Sequence, residues 1–145
     1  MRFIVTDEKA ISLTELESAL KELDADYRIA NDEDDDTYGE LMHGDNIYGQ
    51  IEINQPSDGL FDEEIGELVE FLEDVEEENK TKVLEVLNNA KSIFCIQVLS
   101  QGREIEENLT KIYPIWEWCF RNRKGLMQAD AEGYYDASGL ILEVE

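Results

Sequence analysis

The sequence predicts an α+β fold: helices packed on one face of a mixed, mostly antiparallel sheet, with a ferredoxin-like arrangement as the leading expectation. Three observations carry this. Short β-branched and aromatic runs alternate with amphipathic stretches of helical period. The near-continuous apolar run Ile93 to Leu99 reads as a strand at the sheet centre. Gly, Asn, Asp and Pro punctuate the chain between these elements. The 145 residues fit one acidic domain, 1–145, long enough to bury a core without disulfide or metal.

Phe3-Ile4-Val5 opens a short strand. Ser12 with Glu15 three residues later forms a capping box, and Ile11 with Leu16 a hydrophobic staple, so a helix starts there. Leu13, Leu16, Leu20 and Leu23 supply its apolar face. Tyr27 to Ala30 reads as a strand, and Asn31 to Asp36 is too polar and self-repelling for a packed element. Leu41-Met42 lies in a third strand, followed by the turn residues His43 to Asn46. Beyond it, Ile47, Gly49, Ile51 and Ile53 alternate with Tyr48, Gln50, Glu52 and Asn54, as in a hairpin with one buried face.

Gln55-Pro56-Ser57-Asp58-Gly59 breaks that strand, and a long helix is expected from near Asp62. Its core stripe is Ile65, Leu68, Val69, Leu72 and Val75. A second helical piece, Thr81 to Ala90, buries Val83, Leu84 and Leu87. From Arg103 to Arg123 another helix gathers Ile105, Leu109, Ile112, Tyr113, Ile115, Trp116, Cys119 and Phe120 on one side, with Pro114 opposite. Strands Leu126 to Ala131 and Leu140 to Val144 close the chain around a turn at Asp136 to Gly139.

Charge is the loudest signal. The net charge is −24, and residues 29–79 hold 19 of the 36 acids with no Lys or Arg. Such a field repels nucleic-acid phosphates and anionic lipid, and it attracts basic proteins and divalent cations. Direct nucleic-acid and membrane binding are therefore not expected. Cys95 and Cys119 sit among apolar residues and read as reduced, buried thiols. The opening residues lack the pattern of a signal peptide, so the expected compartment is the cytoplasm.

Four features bear on function. Asp34, Asp36 and Asp45 fall at the first, third and twelfth places of a calcium-loop register with Gly39 sixth, but Tyr38 stands at the fifth and the flanks read as strands. A solvated loop explains these acids without a metal. Asp130 and Glu132 share one face of the last hairpin, with Asp136 beyond Gly133, and could act as a carboxylate acid–base pair or hold a metal. Glu63, Glu67, Glu70, Asp74 and Glu77 form an acidic stripe with no interleaved lysine, a docking face for a cationic partner. Trp118 projects away from the apolar side of its helix, as an interface anchor would.

Phosphate-binding Gly-rich loops, C-x-x-C pairs and a G-x-S-x-G elbow are all absent, and His43 is the single histidine. The resulting expectation is a non-catalytic adaptor or inhibitor, immunity-like or nucleic-acid-mimicking, that uses no cofactor and binds a basic protein through its acidic half. The alternative is a carboxylate enzyme built on Asp130, Glu132 and Asp136, whose acids would converge in a cleft with raised pKa values or a metal. Nothing in the sequence indicates a homo-oligomer.

Overall fold

The computed structural model describes residues 1–144. Strands β1 (Arg2–Val5), β2 (Tyr27–Ala30), β3 (Tyr38–His43), β4 (Asn46–Asn54), β5 (Ser92–Val98), β6 (Gly125–Ala129), β7 (Gly133–Asp136) and β8 (Gly139–Glu143) form one sheet. Helices α1 (Leu13–Leu23), α2 (Phe61–Phe71), α3 (Lys80–Asn88) and α4 (Ile105–Asn122) complete the fold. The strand order is β2-β3-β4-β5-β1-β6-β7-β8, and every neighbouring pair is antiparallel. The sheet is thus not mixed, and its eight strands do not confirm a ferredoxin-like arrangement. The expected order of elements holds except for β7, an extra strand inside the last segment.

Two cores exist, one on each face. Phe3 and Val5 join Leu13, Leu16, Ile112, Ile115 and Trp116 under α1 and α4. Ile4, between them in sequence, points the other way, into Leu68, Leu72, Val83 and Leu87 of the α2–α3 side. The expectation of helices on one face is therefore corrected: two helices cover each side. The second pair reaches only part of the sheet. Its core takes residues from β5, β1, β6, β7 and β8 and none from β2, β3 or β4. That incomplete cover is why β4 alternates apolar and polar while β5 and β1 are apolar on both sides.

Local chemistry explains the elements. Ser12 Oγ accepts from the Glu15 N–H at 3.4 Å and starts α1, with Ile11 and Leu16 buried beside each other's turn. Leu23, expected on the apolar face, is instead 70% exposed at the end of that helix. In β4 the pairing passes from Leu41↔Gly49 to Met42↔Ile47, so Tyr48 is the extra residue of a bulge and turns into the core. The simple alternation placed it on the opposite face. In α4, Ile105 and Tyr113 are exposed, while Asn108 is fully buried and accepts from Arg103 Nε at 2.7 Å. Arg103 also lies 4.1 Å from the centre of the Tyr48 ring, so a charged side chain packs against this buried aromatic.

On each free edge of the sheet one backbone group is taken up by a side chain. On β2 the outward N–H of Ile29 donates to Glu17 Oε2 of α1 at 2.7 Å. On β8 the pairing skips Ile141, whose carbonyl accepts from Asn79 Nδ2 at 2.7 Å. These contacts take up groups that an unpaired edge offers to another strand.

β6 approaches β1 at Gly125, whose φ is +153°. A Cβ there would lie 1.8 Å from the Ile4 carbonyl oxygen, which no side-chain movement relieves. Gly125→Ala is expected to cost more than about 2 kcal/mol. Gly66→Ala, in open space on α2, is the control and should be neutral or stabilising by up to about 1 kcal/mol. Denaturant melts of the two variants check this, and equal stability for both would contradict the close approach.

Candidate functional site

A single cross-strand row runs through the sheet on its α2–α3 face: Tyr38, Glu52, Cys95, Arg2, Gln128, Tyr134 and Leu142, one residue from each of β3, β4, β5, β1, β6, β7 and β8. Tyr134 and Leu142 are buried under the helices, whereas Glu52 and Tyr38 lie beyond them and are exposed. Where the cover ends, α2 forms a wall above the open sheet. A cavity of about 480 Å³ lies in the step, lined by Gln50, Glu52, Asn54 and Gln97 of the sheet and by Glu63, Glu64 and Glu67 of α2.

The floor of this step is a hydrogen-bonded network around Arg2. Its Nε donates to Glu64 Oε1, and its Nη1 donates to Gln128 Oε1 at 2.8 Å and Asp130 Oδ1 at 3.0 Å. Glu64 also accepts from Asn54 Nδ2 at 2.7 Å and from the Cys95 thiol at 3.4 Å. The ion pair is mostly shielded, with side-chain exposures of 26% for Arg2 and 14% for Glu64. Partial burial works against the Arg2 charge, but the hydrogen bond and charge of Glu64 prevail and hold the guanidinium above its ordinary pKa. α2 is aimed at the network by Asp58, whose carboxylate accepts from the Gln55, Leu60 and Phe61 N–H groups.

Burial, then the nearby Glu64 charge, pushes the Cys95 thiol well up, so it stays protonated and donates instead of attacking. Burial is the largest single influence and raises Asp130, but the Gln128 hydrogen bond, the Met1 ammonium and Arg2 together outweigh it and keep that carboxyl below its usual range. Neither group is set up as an acid or a nucleophile near neutral pH. What the step offers is charge. Among the described residues Glu52, Glu63, Glu67 and Glu70 form no ion pair, because Arg2 is committed to Glu64 and Asp130. Carboxylates across a concave step focus their field on a cationic group.

The sequence-predicted residues fall in different places. Glu63, Glu67 and Glu70 are exposed on α2, but the helix ends at Phe71, so Asp74 and Glu77 lie in the turn segment after it and not on one stripe. Trp118 is half-buried against the α1–α4 core, with the Arg123 guanidinium 5.3 Å from its ring centre. It sits on the other side of the sheet from α2 and is not a bare anchor. Asp130 reaches the Arg2 network, while Glu132 stands at the β6–β7 turn near the Tyr135 hydroxyl at 3.5 Å. Asp136 is engaged by the Ser138 N–H at 2.8 Å and Lys82 Nζ at 3.4 Å. These three acids have separate partners, and the carboxyls of Asp130 and Asp136 are held below the ordinary range, not above it. Asp34 and Asp36 precede the six-residue β3 and Asp45 follows it, so roughly 17–20 Å of extended chain separates them and they cannot share an ion.

Asp24, Asp26 and His43 do meet, each with one ligand-type atom within 4.8 Å of the others. There His43 Nε2 lies 2.8 Å from Asp24 Oδ2, whose carboxylate also accepts from the Asp26 N–H at 3.0 Å. The contact docks the C-cap of α1 onto the end of β3. Arg2, Asn54, Glu64 and Cys95 were not singled out as a site from the sequence. Their meeting depends on the pairing of β1 and β4 with β5 and on the docking of α2, which brings Glu64 onto Arg2 across 62 residues of sequence.

Arg2→Met should destabilise the fold by about 2–4 kcal/mol, since it leaves the Glu64 carboxylate shielded and without a cation. Adding Glu64→Gln to that variant should recover part of the loss, which denaturant melts of the two singles and the double would show. A double whose loss equals the sum of the singles would mean the two groups do not interact. No protein family, curated protein or solved structure matches this chain.

Proposed function

We propose that the chain is a non-catalytic interaction module, an adaptor or inhibitor, that binds a basic protein through the acidic wall of α2. The observation that supports this reading most is the set of uncompensated carboxylates on α2, of which Glu63 and Glu67 line the open step with Glu52 and Glu70 continues the wall one turn on. Like charges spaced three or four apart on a helix cost about 0.2–0.5 kcal/mol per pair. Arg2, the side-chain cation of the floor, is engaged by Glu64 and Asp130 and does not offset them. A partner's lysines or arginines would. Such a surface sets encounter rate and selects against acidic partners, as in immunity-like or nucleic-acid-mimicking proteins. The two free cysteines favour a reducing compartment, and the cytoplasm is the proposed place of action. Among the described residues, no helix is long and apolar enough to cross a membrane.

The carboxylate-enzyme alternative draws no support from Asp130, Glu132 and Asp136, which engage different partners.

The test is the triple reversal Glu63→Lys, Glu67→Lys, Glu70→Lys. Its melting temperature should stay close to that of the parent: the 63/67 and 67/70 contacts remain like-charged, but the lysine at position 67 now neighbours Glu64 and the one at position 70 neighbours Glu73 and Asp74. Immobilised parent protein should retain basic proteins from native lysate at low salt and release them at high salt, and the reversed protein should retain none of them. Retention of the same proteins by both, whatever the salt, would overturn the reading.

A further inference from the structure

Just past the acidic wall, α2 ends in apolar surface that the fold leaves open. Phe71 closes the helix and is 71% exposed, although the helix's inward stripe of Phe61, Leu68 and Leu72 is buried. Beside Phe71 a pit of about 210 Å³ descends between α2 and the β6–β7 hairpin, floored by Leu68, Leu72, Ala129 and Tyr134. That volume is close to one large apolar side chain. A shallower depression continues from it along Val75, and its rim carries Glu67, Glu70, Glu73 and Asp74. The base tied to this rim, Lys80, donates to the Glu73 carbonyl at 3.2 Å and not to a carboxylate.

The charge of the rim decides among occupants. A second copy would bring another chain of net charge −24 against these four acids, and an anionic lipid surface would be repelled in the same way. A basic segment is attracted. We infer that the pit seats an apolar side chain from a lysine- or arginine-rich segment of a partner protein, whose cations meet Glu67, Glu70, Glu73 and Asp74. The inference rests on the proposed cationic partner of the α2 wall and adds the anchor that makes such contact specific. Charges at a rim govern mainly approach, whereas an apolar or aromatic group in a dry pocket carries affinity.

The probe is a labelled peptide with lysines flanking one phenylalanine, compared with the same peptide carrying serine in its place. Binding to the 1–145 chain is followed by fluorescence anisotropy, with circular-dichroism melts as a control on folding. The phenylalanine peptide should bind about tenfold or more tightly than the serine peptide. Phe71→Ala, a change at an exposed position, should abolish that preference and leave the weaker, salt-sensitive binding in place. Glu67→Lys with Glu70→Lys should slow association of both peptides and remove the salt dependence of their binding. Equal affinity for the two peptides on parent protein would overturn the anchor while leaving the acidic wall as a binding surface. Binding of neither peptide would overturn both readings. A concentration-dependent dimer in sedimentation, dissolved by Phe71→Ala, would assign the pit to a second copy and also overturn the inference.

Discussion

The Arg2–Glu64 pair joins the central strand to the helix that carries the candidate surface, and much of the second face depends on it. β1 is hydrogen-bonded on both sides, to β5 and β6, so Arg2 cannot shift without the sheet. Glu64 is in the first turn of α2 and draws Asn54 of β4 and Cys95 of β5 into the same contact. One carboxylate thereby locates the helix relative to three strands. A shielded pair of this kind adds little net stability over an apolar substitute, but losing one partner is expensive, which makes it a positioning device. With Glu64 held in this contact, Glu63, Glu67 and Glu70 stand exposed on the same helix.

The rest of the molecule narrows how another protein can be recognised. Strand addition at an edge is disfavoured, since Glu17 occupies the Ile29 N–H on β2 and Asn79 takes the Ile141 carbonyl beside a bulge on β8. The α1–α4 side is closed over its core, and Arg123 bridges it by bonding Glu15 at 2.7 Å while lying against Trp118. What remains open is the half of the second face that α2 and α3 leave uncovered, with Glu52, Gln97 and Tyr38 on the sheet and the acid wall beside them. The proposed binding surface and the incomplete packing occupy the same place.

Local periodicity made the helices legible. The Ser12 cap and the Leu13, Leu16, Leu20 spacing locate α1 because a helix is read over a few neighbouring residues. The distribution of helices over two faces was not legible, although the unbroken apolar character of β5 already requires cover on both sides. The clean alternation of β4 argued the other way, since the core under α2 and α3 takes no residue from that strand. Tyr48 was misplaced because a bulge reverses the alternation, and nothing in Ile47-Tyr48-Gly49 announces it. Asn108 broke the apolar stripe of α4 because Arg103, five residues away, satisfies its amide inside the core. The acids of α2 were legible as a face. The groove they overlook was not, because it exists only through long-range strand order.

The central claim is that the acidity of α2 forms a site, and is not merely part of a diffuse negative surface. Amide chemical-shift mapping of the ¹⁵N-labelled chain with a short oligolysine separates the two. Coulombic attraction without a site favours the densest run of acids, Asp32-Glu33-Asp34-Asp35-Asp36, in the exposed β2–β3 loop. A concave wall focuses the ligand instead, so the largest saturable shifts should fall on residues 62–74 and on Glu52 and its strand neighbours. Shifts concentrated in residues 32–36, or spread over all acidic segments without saturation, would contradict the account.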